Sequence, residues 1–306
     1  MEPAVFPCTP LRGHELLDSG AGRKLERFGA LVIDRPDPQA LWRPRRSKWD
    51  DADLVFVRES DRGGRFESRG TNARRAAAAL EEGVVLEGLL DSIPSLACRV
   101  RPTPFKHVGL FPEQAANWEY VRRARERLGE RPELLNLFGY TGVASVAAAL
   151  AGYRVTHVDA SKTSVAWCRE NAELSGAPAD AIRFVCEDAL TFASREVRRE
   201  RRYAGVLLDP PHYGRGPKGQ KWTLEEGLAP LLEATDRLLE PGGFCILSTY
   251  AVGYSPLAFQ NLFEDLGPGR CDVGELALVE SHAAADGGER RLPCGFCARY
   301  ERSLEV

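Results

Sequence analysis

The sequence predicts an α/β protein: a doubly wound, seven-strand, mostly parallel sheet preceded by a small β-rich module. Three observations carry this. From about residue 105 onward, short apolar runs alternate with helix-forming stretches, which is the pattern of strand–helix–strand units. Before that point the apolar runs are short and broken by Gly, Pro and charge, as in strands joined by turns. The chain ends on two apolar runs with no helix between them, which suggests an antiparallel hairpin at one edge of the sheet. We therefore expect a module over 1–104 and a larger domain over 105–306.

In the first segment ELLDSG, FGALVID, ADLVFVRES and SLACRVRPTP read as strands, and the alanine-rich 72–80 suits a helix. In the second, LLNLF (134–138) is a short buried strand and 143–151 a helix. RVTHVDA (154–160) is the next strand. Ser161 then caps a helix that runs to Ser175 and stops at Gly176 and Pro178. IRFVCED (182–188) leads into a helix reaching about Arg202, and YAGVLLDPP (203–211) is a strand halted by two prolines. A loop rich in Gly and Lys precedes a helix over 223–239, and PGG turns the chain into FCILSTYA (244–251). A helix over 256–266 and strands near 273–281 and 292–301 complete the order.

A chain of 306 residues, 43% apolar and 28% charged, is that of an ordinary globular protein able to bury a full core. No run of 18 uncharged apolar residues is present, and the opening residues lack the basic and apolar segments of a secretory signal. The expectation is a cytoplasmic location, away from membranes. Eight scattered cysteines read as reduced thiols, not as a disulfide framework; Cys294 and Cys297 make one C-x-x-C without a second pair, so no metal is expected. A net charge of −3 argues against a surface that coats nucleic acid throughout. Local basic clusters survive that average: Arg43, Arg45, Arg46 and Lys48; Arg122, Arg123 and Arg125; Arg195 to Arg202; and Arg215, Lys218 and Lys221. Such runs are also ordinary solvated helix faces.

An open parallel sheet takes its ligand at the carboxyl ends of its strands, so the residues just after each strand hold the chemistry. After the first come Phe138, Gly139, Tyr140, Thr141 and Gly142, where two glycines allow backbone to approach a bulky ligand. The second ends in Asp159, Ala160 and Ser161; a carboxylate there can accept both hydroxyls of a ribose, or simply cap a helix. The third ends in Glu187 and Asp188, where an acid can accept an adenine amino group or, again, serve as a cap. The fourth supplies Asp209-Pro210-Pro211-His212-Tyr213. A carboxylate and a proline-fixed carbonyl can hold an amino group of a planar base while an aromatic stacks on it. Together these ends offer what one nucleoside cofactor needs. A dinucleotide-dependent oxidoreductase fits less well, because G-x-G-x-x-G is absent.

The strings LLNLFGYTG, VDAS, EDA and DPPHYGRGPKG resemble those of bacterial rRNA-methyltransferase-like proteins, the family that includes the large-subunit cytosine-5 enzymes. Upstream, FKHVGLFPEQAAN (105–117) resembles the segment leading into that family's cofactor site, and the resemblance spans about residues 100–300. It implies the Rossmann-like methyltransferase fold and S-adenosylmethionine as cofactor. Phe138, Gly139, Tyr140, Thr141, Gly142, Asp159, Ala160, Ser161, Asp188 and Ala189 would hold that cofactor. Lys106, His107, Gln114 and Asp209 would line the methyl-transfer pocket, Gln114 and Asp209 also facing the cofactor. Asp209, Pro210, Tyr213 and Lys106 become the candidate catalytic residues, Tyr213 as the stacking aromatic. Arg215 or Lys218 would hold phosphate, and RNA, ribosomal first, is the implied substrate. Methylation of a protein side chain or small molecule, and a silent cofactor-binding scaffold, are the other readings.

One departure bears on mechanism. Carbon-5 methylation of cytosine needs a cysteine thiolate that adds across the ring. The relatives with that activity carry a cysteine after Ser at the end of the fifth strand, where this chain reads Ser248-Thr249-Tyr250. A nitrogen nucleophile, which needs only positioning and a proton acceptor, suits the residues present.

Overall fold

The computed structural model describes residues 5–46, 49–60, 63–69, 72–250, 254–281 and 288–304. Lys48 and Ala251, named above in a basic cluster and a strand, lie outside the described residues. The chain divides into two units, one of Pro7–Ala115 with Ala277–Cys294, the other of Met1–Phe6, Ala116–Leu276 and Gly295–Val306. The sequence drew its line at 104/105; the structure groups 105–115 and 277–294 with the amino-terminal strands.

In the first unit, β1 (His14–Gly20), β2 (Arg23–Phe28), β3 (Leu31–Pro36), β4 (Leu54–Ser60) and β5 (Gly63–Ser68) form one sheet in chain order. All neighbours are antiparallel except β3 and β4. Successive side chains of a strand point to opposite faces, and β1 shows the result. Leu16 packs with Ala40, Leu278, Leu292 and Cys294, whereas Leu17 packs with Leu25, Val32, Ala52 and Val55. Helix α1 (Ala73–Glu81) begins where the Asn72 side chain accepts the Arg75 N–H. Strands β6 (Val84–Leu86) and β7 (Cys98–Val100) pair beyond it.

Strand β2 escaped the sequence reading because its RKLERF carries four charges. Two of them are buried: Glu26 accepts from the Arg35 Nε at 2.6 Å and lies 3.1 Å from the His14 Nε2, and Lys24 reaches Asp37 at 3.3 Å. Buried charge survives only when it is paired in this way.

The second unit carries α2 (Ala115–Ala124), β8 (Glu133–Leu137), α3 (Val143–Leu150), β9 (Arg154–Asp159) and α4 (Lys162–Leu174). Then follow β10 (Ile182–Cys186), α5 (Ala189–Arg198), β11 (Tyr203–Leu208), a hairpin of β12 (Tyr213–Arg215) and β13 (Lys221–Thr223), and α6 (Leu224–Leu238). Strand β14 (Leu239–Thr249), α7 (Pro256–Glu264), β15 (Gly269–Val279) and β16 (Arg291–Arg302) end the chain. The larger sheet has the order β10-β9-β8-β11-β14-β16-β15. β8 to β11 and β14 are parallel to their neighbours, and β16 runs antiparallel to β14. This is the seven-strand, mostly parallel sheet expected. Strand order reverses between β8 and β11, which makes their carboxyl ends the crevice for a ligand. Leu135, Leu137, Val206, Leu208, Leu231, Leu232, Leu247 and Phe192 are buried together in its core. Among the described residues no helix is long and apolar enough to cross a membrane.

Candidate active site

The turn after β8 is shaped by its packing. Phe138 (φ 56°), Tyr140 (φ 50°) and Gly142 (φ 75°) all adopt left-handed backbone, which costs residues with a Cβ about 1–2 kcal/mol each. Asp159 offsets part of that cost. Its carboxylate accepts the Tyr140 N–H at 2.8 Å and the Ser161 N–H at 2.8 Å. Asn171 adds a bond from its Nδ2 to the Thr141 carbonyl at 2.9 Å. The two glycines are required by neighbours within the protein: a Cβ on Gly139 would meet the His157 ring at 2.4 Å, and one on Gly142 the Cys168 Sγ at 1.9 Å. Backbone thus lies directly on the layer beneath, and no side chain caps the start of α3 that follows.

Beneath this turn runs a buried polar chain that the sequence reading missed. The Asn136 Nδ2 donates to Ser145 Oγ at 2.8 Å, and Ser145 Oγ lies 3.0 Å from His157 Nδ1. Burial pulls the His157 pKa down to about 4, so the ring is neutral at physiological pH. Asn136 inside an otherwise apolar strand was the visible signal.

At the end of β9, burial pushes the Asp159 pKa up while the two N–H donors pull it down. Each carboxylate oxygen has two acceptor positions and gives one to backbone, so a further donor can be taken at each. Asp188, after β10, caps α5 by accepting from the Thr191 N–H at 2.9 Å and its hydroxyl at 2.7 Å. The cap reading of that residue is therefore realised, through the single oxygen Oδ1.

Leu208 pairs with Leu137, so Asp209 leaves β11 at the level of Phe138 on the neighbouring strand. Asp209 is exposed and Pro210 buried. The following loop is not irregular but a short hairpin, β12–β13, which presents Tyr213 at 52% exposure with its hydroxyl accepting from the Arg215 Nε. Trp222 anchors it: the indole N–H donates to the Pro211 carbonyl at 2.7 Å, and the ring stands 4.7 Å from Phe138. Glu225, at the start of α6, receives His212 Nε2 at 2.8 Å and the Tyr254 hydroxyl, and these contacts hold its pKa down to about 2. Trp222, Glu225 and Tyr254 were not singled out from sequence.

One unit therefore brings together the 138–142 turn, Asp159, Ala160, Ser161, Asp188, Ala189, Asp209, Pro210 and Tyr213. Lys106 and Gln114 belong to the other. There Lys106 has left-handed backbone (φ 64°), its carbonyl accepts from Arg35 at 3.4 Å, and Gln114 ends a 3-10 turn. Burial lowers the Lys106 pKa and brings that of His107 to about 3. Several of the basic runs are held by acids of their own unit, as in Arg46–Asp51, Arg122–Glu119, Arg195–Glu187 and Arg201–Glu133. All eight cysteines are free, with Cys294 and Cys297 buried on β16, and no His, Cys, Asp and Glu group among the described residues could hold a metal.

A doubly wound sheet with this turn at its switch point and acids at the ends of β9, β10 and β11 defines an α/β protein built to hold a nucleoside. No family model matches the chain. It is similar to the ribosomal RNA large subunit methyltransferase K/L of Methylococcus capsulatus, 39% identical over 145 residues, a match covering 46% of this chain and 19% of that protein. The chain spans about a fifth of the length of such curated relatives. The crystal structure of the SAM-dependent methyltransferase from Agrobacterium tumefaciens aligns over 98% of this chain and 94% of that one, with 38% identity and a TM-score of 0.87. A Streptococcus mutans protein of known structure, 16% identical with a TM-score of 0.69 over 94% of this chain and 75% of that one, shares the fold. The chain belongs to the family of SAM-dependent methyltransferases.

Proposed function

We propose that the protein transfers a methyl group from S-adenosylmethionine to a nitrogen of an RNA base, ribosomal RNA first, in the cytoplasm. The observation that carries this reading is the placement of Asp209-Pro210-Pro211 at the carboxyl end of β11, level with the Phe138–Gly142 turn across the switch point. The donor set suits the cofactor. Asp159, oriented by two backbone N–H groups, keeps an acceptor position on each oxygen for the ribose hydroxyls. Asp188 binds Thr191 through one oxygen and has its second for the adenine amino group. Ala160, Ser161 and Ala189 border these acids without bulk.

The bound cofactor supplies an electrophilic methyl on a sulfonium. The protein's part is to hold the acceptor in line, within about 3–3.5 Å of that carbon. Asp209 accepts a hydrogen bond from the amino group and orients its lone pair. The Pro211 carbonyl is engaged by Trp222, so the Pro210 carbonyl is the second acceptor of the pair. Tyr213 covers the base.

The cytosine-5 chemistry of the resembled family lacks its thiol. Cys245 is buried within β14, and Cys297, in register with Ser248, is buried with its thiol directed at Asn117 Oδ1. Burial raises the pKa of both, which disfavours the thiolate an adduct requires. The roles of Lys106 and Gln114 rest on the resemblance and belong to the same proposal.

The test is calorimetric titration with S-adenosylmethionine, S-adenosylhomocysteine and NAD, Asp159→Ala as control, followed by transfer of labelled methyl to total RNA. Binding of the first two ligands, lost in the variant, and label in RNA nucleosides are expected. Asp209→Ala should bind cofactor and fail to turn over. Preference for NAD, or label appearing only in protein, would overturn the reading.

A further inference from the structure

The amino-terminal unit exposes an aromatic side chain on a rigid support. Arg101 N–H donates to the Val108 carbonyl at 2.9 Å and Thr103 N–H to that of His107 at 3.0 Å, so 101–108 folds back on itself around Pro104, Phe105 and Lys106. The Thr103 hydroxyl donates to the same His107 carbonyl at 2.7 Å and accepts the Phe105 N–H at 3.3 Å. Two outside bonds brace the tip: Gly64 N–H to the Pro104 carbonyl at 2.9 Å, and Arg35 to the Lys106 carbonyl. A Cβ on Gly63 would meet that Pro104 carbonyl at 2.7 Å, so the turn rests directly on β5. From this support Phe105 presents 64% of its surface to solvent. Arg35 and Lys24 behind the turn are buried in pairs with Glu26 and Asp37, whereas Arg58 stands opposite Gly64, the residue on which the Pro104 carbonyl rests. Arg58 is exposed and has no carboxylate partner among the described residues.

A pre-ordered aromatic face with the exposed guanidinium of Arg58 on the adjoining strand is matched by a flat ring linked to a negative charge. Unpaired nucleotides have both features, since every base offers a π-face and every link a phosphate. We propose that the 103–107 turn is a stacking platform for an unpaired base of the RNA substrate, with Phe105 under the base and Arg58 at the adjoining phosphate. This rests on the RNA reading above and adds contacts at Phe105 and Arg58, residues to which that reading gives no role. Base-paired RNA has no free face to offer there.

The test uses the 306-residue chain and a fluorescein-labelled single-stranded RNA of about 12 nucleotides and mixed sequence, with the corresponding duplex as comparison. Phe105→Ala should weaken single-strand binding by about five- to a hundredfold and Phe105→Trp should restore it. Arg58→Gln should reduce the slope of log affinity against log salt by about 0.7. Affinity for S-adenosylhomocysteine should stay unchanged in all three, and Leu41→Ala, which truncates another exposed apolar side chain (85%), should alter nothing. The tryptophan introduced at 105 should be quenched by the single strand and not by the duplex. If the unaltered protein binds and methylates RNA but Phe105→Ala binds it equally well, the platform is overturned and the RNA reading stands. If the unaltered protein binds no RNA at low salt, both fall.

Discussion

The indole of Trp222 stands 4.7 Å from the Phe138 ring and donates its N–H to the Pro211 carbonyl across 2.7 Å. One buried side chain thereby couples the turn after β8 to the segment after β11, the two backbone stretches assigned to cofactor and substrate. Trp222→Phe keeps an aromatic ring in place and leaves the Pro211 carbonyl without its donor. We expect a loss of about 1–3 kcal/mol in stability. Turnover should fall roughly tenfold to a hundredfold as the prolines shift. Cofactor affinity, set chiefly by Asp159 and the turn, should change little. Urea unfolding, methyl-transfer kinetics and calorimetry on the one variant read the three quantities. Equal losses in affinity and turnover would mean that Trp222 only braces the fold.

Gly142 is the position where backbone conformation and packing coincide. Its φ of 75° disfavours any side chain, and an added Cβ would overlap the Cys168 Sγ at 1.9 Å. Gly142→Ala should cost about 1–2 kcal/mol for the left-handed backbone and about 1–3 for overpacking. Adding Cys168→Ala should recover only the share due to Sγ, because the Cys168 Cβ stays 2.6 Å from the added atom, and none of the backbone part. Thermal melts of the single and double variants decide this, and failure of the second substitution to restore anything would place the cost in the backbone and the remaining Cβ contact.

The larger sheet was legible because its apolar runs and helical stretches alternate cleanly, and its strand ends carried the acids that the structure gathers. Two kinds of feature were hidden. β2 was masked by Lys24 and Glu26, whose burial depends on partners distant in sequence, and charge reads as surface until those partners are seen. The Gly- and Lys-rich stretch after Pro211 reads as loop, yet Trp222, a buried aromatic within it, folds it into a hairpin. The glycines at 139 and 142 were read as making room for a ligand, while the space their missing Cβ atoms leave is filled by His157 and Cys168. Neither neighbour is identifiable before the topology is known.

The neutral His157 makes stability depend on pH. Its ordinary pKa near 6.5 applies to the unfolded chain, and burial brings the folded value to about 4. At pH above 6.5 neither state is protonated, and the folded protein has its full stability. Between 6.5 and 4 the unfolded chain takes up a proton that the folded state refuses, so stability is lost as pH falls, by an amount of order 3 kcal/mol. His14 and His107, also pulled down by burial, act in the same direction. His157→Gln should melt lower at neutral pH and lose less on acidification than the unaltered protein over this interval. Parallel curves of Tm against pH would show that this histidine does not titrate in the way its burial dictates.

Cys186 reports on the cofactor site without being part of the transfer. It is the exposed one of the eight cysteines; Cys8 and Cys271 are half-buried and the others buried. It ends β10 in register with Asp159 of β9, and its thiol lies 3.5 Å from the Ala160 carbonyl. A molecule bound between Asp159 and Asp188 would stand over that thiol. In the native protein an aromatic disulfide reagent should react rapidly at this cysteine and slowly elsewhere, because it is accessible while burial raises the thiol pKa of the other seven. Cys186→Ser should remove the fast phase. S-adenosylhomocysteine should slow that phase with the same half-saturation that calorimetry gives for binding. A fast phase indifferent to saturating ligand would place the adenosine away from the ends of β9 and β10 and would displace Asp159 and Asp188 from their assigned roles.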